Sequence, residues 1–317
     1  MGMKDGPRTP AAYGGEAWSG RTDSHREEIG RIWAPCGVSS EWAPLGAVLL
    51  HRPGGELASV KDPDGAQMLA PIDVGRAAAQ HDALADAYRG MGVEVTLIEP
   101  EGLPPPNLLF VADLMFMTPE GVILGRPAST VRAGEERFVA KRLAGLGIPI
   151  LRCLRGHGIF ECADAAWLDS STVLVAQGLR TNREGAGQVT AALKELGIDV
   201  IPTTLLPGAM HLMGQLRIVD RDLAVVWRER MSQATLEILK NHGFRIVVAP
   251  DQEEAARGMA MNFVSLGPRS VLMPGGNPAT RAALVKAGIE CRTVAVDEIA
   301  KAAGAVGCMT GILRRAR

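Results

Sequence analysis

Five times along the chain a helical stretch is closed by glycine and followed at once by a bulky apolar residue: Gly92-Val93, Gly147-Ile148, Gly197-Ile198, Gly243-Phe244 and Gly288-Ile289. Successive junctions lie 55, 50, 46 and 45 residues apart. Glycine just past a helix end supplies a left-handed backbone turn, and an apolar run straight after it marks a helix feeding a strand. Recurrence at a near-constant period is the mark of a repeat architecture. Hairpin patterns sit between the junctions. They turn at Thr118-Pro119-Glu120-Gly121, Asp169-Ser170-Ser171, Asp220-Arg221-Asp222 and Gly267-Pro268-Arg269.

A strand–strand–helix–strand module thus occurs four times. A fifth copy is expected to be split between the chain ends, with Ala47–Leu50 opening its hairpin and the stretch after Gly307 closing a ring. Ring closure removes exposed sheet edges. The expected fold is an α/β, five-bladed, pseudo-symmetric propeller of ββαβ repeats. A doubly wound sheet fits less well, because it lacks the intervening hairpin, and neither G-x-G-x-x-G after a strand nor a P-loop is present. Residues 1–30, rich in Gly, Ser and charge, are expected to be a flexible N-terminal arm, and 31–317 a single catalytic domain.

Equivalent points of the modules carry unusual residues: Asp113, in the first strand of its module, then Glu161, His211, Asn262 and Cys308. They are separated by 48, 50, 51 and 46 residues. In a ring, equivalent positions face one axis, so a thiol, an imidazole and two carboxylates converge. That combination makes an activated nucleophile, with His moving the proton and an acid holding the ring. Asn262 is expected to serve backbone bonding in its own blade. Met210, Met213 and Met309 look like packing residues that could also shape an apolar pocket.

Composition narrows the partners. Thirty-four basic and 35 acidic residues give a net charge of −1, and aromatic residues are 4% of the chain. Neither a basic field nor a stacking platform for nucleic acid is present. No apolar run reaches membrane-span length. Five scattered cysteines without C-x-x-C spacing suit a reducing compartment, and the expected location is the cytoplasm. Cys153, His157 and Cys162 match no common zinc pattern. No metal and no cofactor are expected, and self-association into a homo-oligomer stays open.

The sequence resembles the guanidine-modifying (pentein) superfamily of arginine deiminase, dimethylarginine dimethylaminohydrolase and the amidinotransferases. The resemblance rests on Asn107-Leu108-Leu109-Phe110-Val111-Ala112-Asp113, Glu161-Cys162-Ala163-Asp164, Gly178-Leu179-Arg180-Thr181-Asn182, Met210-His211-Leu212 and Gly307-Cys308-Met309-Thr310, in order and at repeat spacing. It implies a five-bladed propeller, in agreement with the repeat count. It also implies that Cys308 attacks a guanidinium carbon, His211 moves the proton and Glu161 polarises the site. Asp113 would pair with the planar cation, and Asn107, Arg132 and Arg180 would hold the substrate's amino-acid end. Asp164 would support the set from behind. Taken alone, Arg132 could instead be a surface charge at the start of a helical run.

The departures from the family pattern bear on substrate. His211-Leu212-Met213 replaces the His-x-Asp of arginine-specific members, so a second cation-binding carboxylate is absent. Ala112 stands where Arg or Glu is common. The missing carboxylate favours a substituted or less demanding headgroup over free arginine. The expected activity is hydrolysis of a C–N bond in a guanidino or amidine compound through a covalent Cys308 adduct. The alternatives are amidino transfer to an amine and, less favoured, an inactive binding module.

Overall fold

A computed structural model describes residues 20–316. Five three-stranded sheets are arranged as repeats of one design. In each, the middle strand pairs antiparallel with the strand before it and parallel with the strand that follows the helix. In the first blade Met115–Thr118, Gly121–Leu124 and Ile150–Cys153 pair in this way. The second blade uses Ala165–Asp169, Thr172–Gln177 and Asp199–Thr204. The third uses Leu216–Asp220, Leu223–Val226 and Arg245–Val248, and the fourth Val264–Gly267, Ser270–Pro274 and Glu290–Val294.

The fifth blade joins the chain ends. Gly311–Arg315 pairs antiparallel with Leu45–Leu50, which pairs in parallel with Glu94–Leu97. Leu45–Leu50 is therefore the middle strand of that blade rather than the opener of its hairpin, and the C-terminal strand takes the first place. Its near-continuous apolar run explains the position, since middle strands are covered on both faces. Val48, Leu49 and Leu50 are fully buried, each worth about 1.5–3 kcal/mol of transfer free energy.

All five junction glycines have left-handed backbones, with φ of +77° at Gly92, +75° at Gly147, +72° at Gly197, +81° at Gly243 and +83° at Gly288. The next amide in each case donates 3.0 Å back to a carbonyl five residues earlier: Val93 to Tyr88, Ile148 to Leu143, Ile198 to Leu193, Phe244 to Leu239 and Ile289 to Leu284. Both partners of every pair are buried. This is one helix stop used five times, with its hydrophobic contact. Helix starts are set by side chains: Asp73 accepts from the Arg76 amide, Asn182 from Gly185 and Ser232 from Thr235.

Within the stretch expected to be an arm, His25–Glu28 forms a short helix with a Ser24/Glu27 capping box. His25 Nε2 lies 2.9 Å from the Glu120 carbonyl, tying it to the first blade's hairpin turn. Residues 1–19 lie outside the described residues. Among the described residues, no helix is long and apolar enough to cross a membrane.

Candidate active site

The polar residues at repeat spacing sit one step before where the sequence placed the first of them. Asp113 is not in a strand. It ends a one-turn 3-10 segment, Val111–Asp113, that enters the inner strand of the first blade. Glu161 and His211 immediately precede equivalent turns, Cys162–Asp164 and Leu212–Gly214. Cys308 lies in the short helix Val306–Met309 before the C-terminal strand. A tight turn at the inner end of each blade aims one side chain at the axis, where a strand would send alternate side chains to opposite faces.

Asp113, Glu161, His211 and Cys308 are all buried. His211 Nε2 is 2.7 Å from Glu161 Oε2, and His211 Nδ1 is 4.0 Å from Asp113 Oδ1. Glu161 also accepts from the Ala128 amide at 3.0 Å, from Arg180 Nη1 at 3.3 Å and from Arg132 Nη1 at 3.4 Å. Arg132, expected either to hold substrate or to lie on the surface, is buried in a 3-10 turn, Thr130–Arg132. Its Nη1 donates to Asp113 Oδ2 at 2.7 Å, and its Nε and Nη2 both donate to Glu135 Oε2, at 3.0 and 2.8 Å. Asp113 Oδ1 keeps no hydrogen-bond partner among the described residues.

Asn107, Asp113, Arg132, Arg180, His211 and Cys308 border one small chamber of about 30 Å³. Asn107 Nδ2 donates to the Ala66 carbonyl at 2.8 Å, and its buried Oδ1 is unpartnered. Gln67, from the same loop, accepts from Arg180 at 3.5 Å and donates to Ser129 Oγ at 2.5 Å. Asp164 is outside the chamber. It accepts from Thr181 Oγ1 at 2.7 Å and from the Leu212 amide at 3.0 Å, which fixes the residue next to His211. Ala112 does not border this chamber; it lines a separate pocket with Met115, Trp167 and Arg217.

The sequence reading missed the role of Asn262. Its Nδ2 donates to Cys308 Sγ at 2.8 Å, and its Oδ1 accepts from the Cys308 amide at 2.9 Å. Its place in the repeat series was the available signal. At Gly307, before the thiol, a Cβ would crowd Asn262 Oδ1 at 3.0 Å, the oxygen that accepts from the Cys308 amide.

The electrostatics follow from burial and neighbours. Burial pushes the Cys308 thiol up to about 11, helped by Asp113 and opposed by the Asn262 amide. Burial alone would lower His211, but Asp113, Glu161 and Asp164 raise it to about 9. Burial alone would raise Glu161, but His211, Arg132 and Arg180 hold it down at about 2. Glu135 is raised to about 7 and Asp164 to about 6, both chiefly by burial. The resting site is thus a thiol beside an imidazolium–carboxylate pair. Asp113, Glu161 and His211 each offer a ligand atom within 4.8 Å of one another and could converge on a metal ion. Arg132 already faces both carboxylates, so this set suits a charge network better.

A five-bladed ring with thiol, imidazole and carboxylates at its inner turns defines a pentein, the class of guanidine-modifying enzymes. A family model described as N,N dimethylarginine dimethylhydrolase, eukaryotic, matches residues 70–315, and the chain belongs to that family. The chain is 26% identical over 238 residues to the N(G),N(G)-dimethylarginine dimethylaminohydrolase of Pseudomonas aeruginosa, covering 75% of this chain and 89% of the relative. A structure of the Pseudomonas aeruginosa enzyme, a cysteine-to-serine mutant complexed with citrulline, superposes with a TM-score of 0.72 at 23% identity, over 86% of this chain and all of that one. The amidinotransferase SxtG of Microseira wollei shares the fold, with a TM-score of 0.73 at 16% identity over 90% of this chain and 98% of that one.

Proposed function

We propose that the protein hydrolyses an N-methylated arginine, releasing the methylamine and leaving a ureido amino acid, through a covalent adduct on Cys308. The observation that carries this reading is that His211, held 2.7 Å from Glu161, borders one chamber with Cys308 and with Asp113, whose Oδ1 is unpartnered among the described residues. Asp113 Oδ1 accepts from the substrate guanidinium. That cation offsets the charge that raises the thiol and so favours the thiolate. Asn107 Oδ1 suits an α-ammonium and Arg180 an α-carboxylate. Arg132 has its donors on Glu135, Asp113 and Glu161, so its role is to fix these carboxylates rather than to grip substrate.

As the guanidinium binds, the Cys308 thiol proton passes to solvent, and in the first half-reaction the Sγ–C bond forms and the C–N bond to the substituted amine breaks. His211 gives its proton to that amine and becomes neutral. In the second, His211 takes a proton from water as the oxygen bonds to carbon. The C–S bond then breaks as the remaining hydroxyl proton passes to the departing sulfur, leaving the ureido group and the resting thiol. Family membership and the coverage of the Pseudomonas aeruginosa relative support a hydrolase of this kind. Amidino transfer uses the same adduct with an amine in place of water. Incubation with Nω,Nω-dimethylarginine, with and without an added acceptor amine, tests the reading. Dimethylamine and a ureido product in equal amounts, absent with Cys308→Ala, are expected. An amidinated acceptor would favour transfer. Wild-type behaviour of Cys308→Ala would overturn the mechanism.

A further inference from the structure

Beside the small chamber lies a second cavity of about 300 Å³, ten times larger, and the two share Met210, His211, Ala303 and Cys308. Four methionines, Met210, Met213, Met259 and Met261, contribute to its walls, with Trp227 and Arg230 also bordering it. The Arg230 guanidinium lies over the Trp227 ring at 5.4 Å. Among the described residues, no carboxylate borders this cavity. The α-ammonium of an amino acid would find no counter-charge there, whereas the small chamber offers acceptors. The larger cavity therefore does not suit the substrate's amino-acid end. Methionines make an apolar wall that adapts to varied shapes.

Two observations mark the cavity as built rather than left over. Met259 (φ +53°) and Ala303 (φ +67°) both border it, and they are two of four non-glycine residues in the left-handed region among the described residues. Such backbone costs on the order of 1–3 kcal/mol and persists where the surroundings enforce it. Met213, two residues after His211, adds to this apolar wall. His211, the proton donor to the leaving nitrogen, sits on the boundary between the two cavities. A substituent on that nitrogen consequently points into the larger one.

We infer that the cavity is a subsite for the leaving amine, and that the substrate class extends to guanidines carrying alkyl or arylmethyl N-substituents larger than methyl. The inference rests on the hydrolase reading above for its chemistry, which needs no step beyond those already written. Selection of a larger group over a smaller one in an apolar pocket is worth roughly tenfold or more per well-packed increment.

Two measurements test it. The first is amine release from Nω,Nω-dimethyl-, Nω-propyl- and Nω-benzylarginine. The expected kcat/KM for the propyl and benzyl compounds exceeds that for the dimethyl compound by roughly tenfold. Turnover of the dimethyl compound with loss of the larger ones would overturn the subsite and leave the hydrolase reading standing. The second is calorimetric binding of the same compounds to Cys308→Ala, which needs no turnover. Tighter binding of the benzyl compound is expected, and it should disappear in Cys308→Ala combined with Ala256→Trp, which adds bulk to the cavity wall. Equal or weaker binding of the benzyl compound, or a preference that survives Ala256→Trp, would overturn the subsite. If no compound is turned over yet the benzyl preference is found, the hydrolase reading and the leaving-amine role both fall, and the cavity stands only as a binding site for the N-substituent.

Discussion

Asn262 holds Cys308 at two points: its amide nitrogen donates 2.8 Å to the sulfur and its carbonyl oxygen accepts from the Cys308 backbone at 2.9 Å. One side chain thus orients the thiol and stabilises its anion. Replacement by alanine removes a donor from a buried developing charge, for which losses of roughly a hundredfold in kcat are usual. Asn262→Ala is expected to lose about that much and to move the thiol titration further above about 11. Thiolate absorbance against pH, read beside kcat, checks both. An unchanged titration would show that Asn262 does not act on the sulfur.

Arg132 joins three buried carboxylates. Removal of one partner from a buried ionic cluster costs about 3–5 kcal/mol, because the remaining charges are left unpaired. Arg132→Ala should lower the unfolding free energy by about that amount in urea titration. A change within about 0.5 kcal/mol, typical of surface substitutions, would contradict the cluster's structural role.

The pH dependence of stability has a definite sign. Asp164 titrates at about 6 in the fold against 3.8 ordinarily, Glu135 at about 7 against 4.5, and His211 at about 9 against 6.5. In each window the folded state binds the extra proton. Each contribution is therefore full below the ordinary value and is lost as pH rises through the folded one. Glu161 runs the other way. Its folded value of about 2 lies below 4.5, so its contribution is present above 4.5 and lost as pH falls through about 2. Stability should accordingly decline between about 4.5 and 9, and His211→Gln should flatten the upper part. Urea midpoints that rise across this range would contradict the assignment.

In the proposed mechanism His211 acts protonated, so kcat/KM should fall above about 9. Glu161→Gln removes one of the carboxylates that raise the imidazole. The alkaline limb should move to lower pH, by less than the whole shift because Asp113 and Asp164 remain. A pH profile that does not move would separate Glu161 from the proton transfer.

Much of this was legible in the sequence. The five junction glycines were visible because the helix stop needs a positive φ, and glycine is the residue that adopts it readily. Cys308, His211, Glu161 and Asp113 stood out because buried titratable groups recur there at blade spacing. Four features were hidden. The turns that carry the site are too short to have a period, so Asp113 was assigned to a strand. Asn262 is uncharged, and its partner lies 46 residues away, so nothing local marked it. Arg132 and Glu135 look like an ordinary surface i,i+3 pair until the chain buries both. Leu45–Leu50 is apolar enough for any buried strand, and only the docking of Gly311–Arg315 makes it the middle one.

The central claim is a covalent adduct on one of five cysteines. Peptide-level mass spectrometry of the protein, acid-quenched during the first turnovers of Nω,Nω-dimethylarginine, tests it most directly. The account predicts an amidino adduct confined to the peptide that contains Cys308. An adduct on Cys36, Cys153, Cys162 or Cys291, or product formation with no adduct on Cys308, would contradict it.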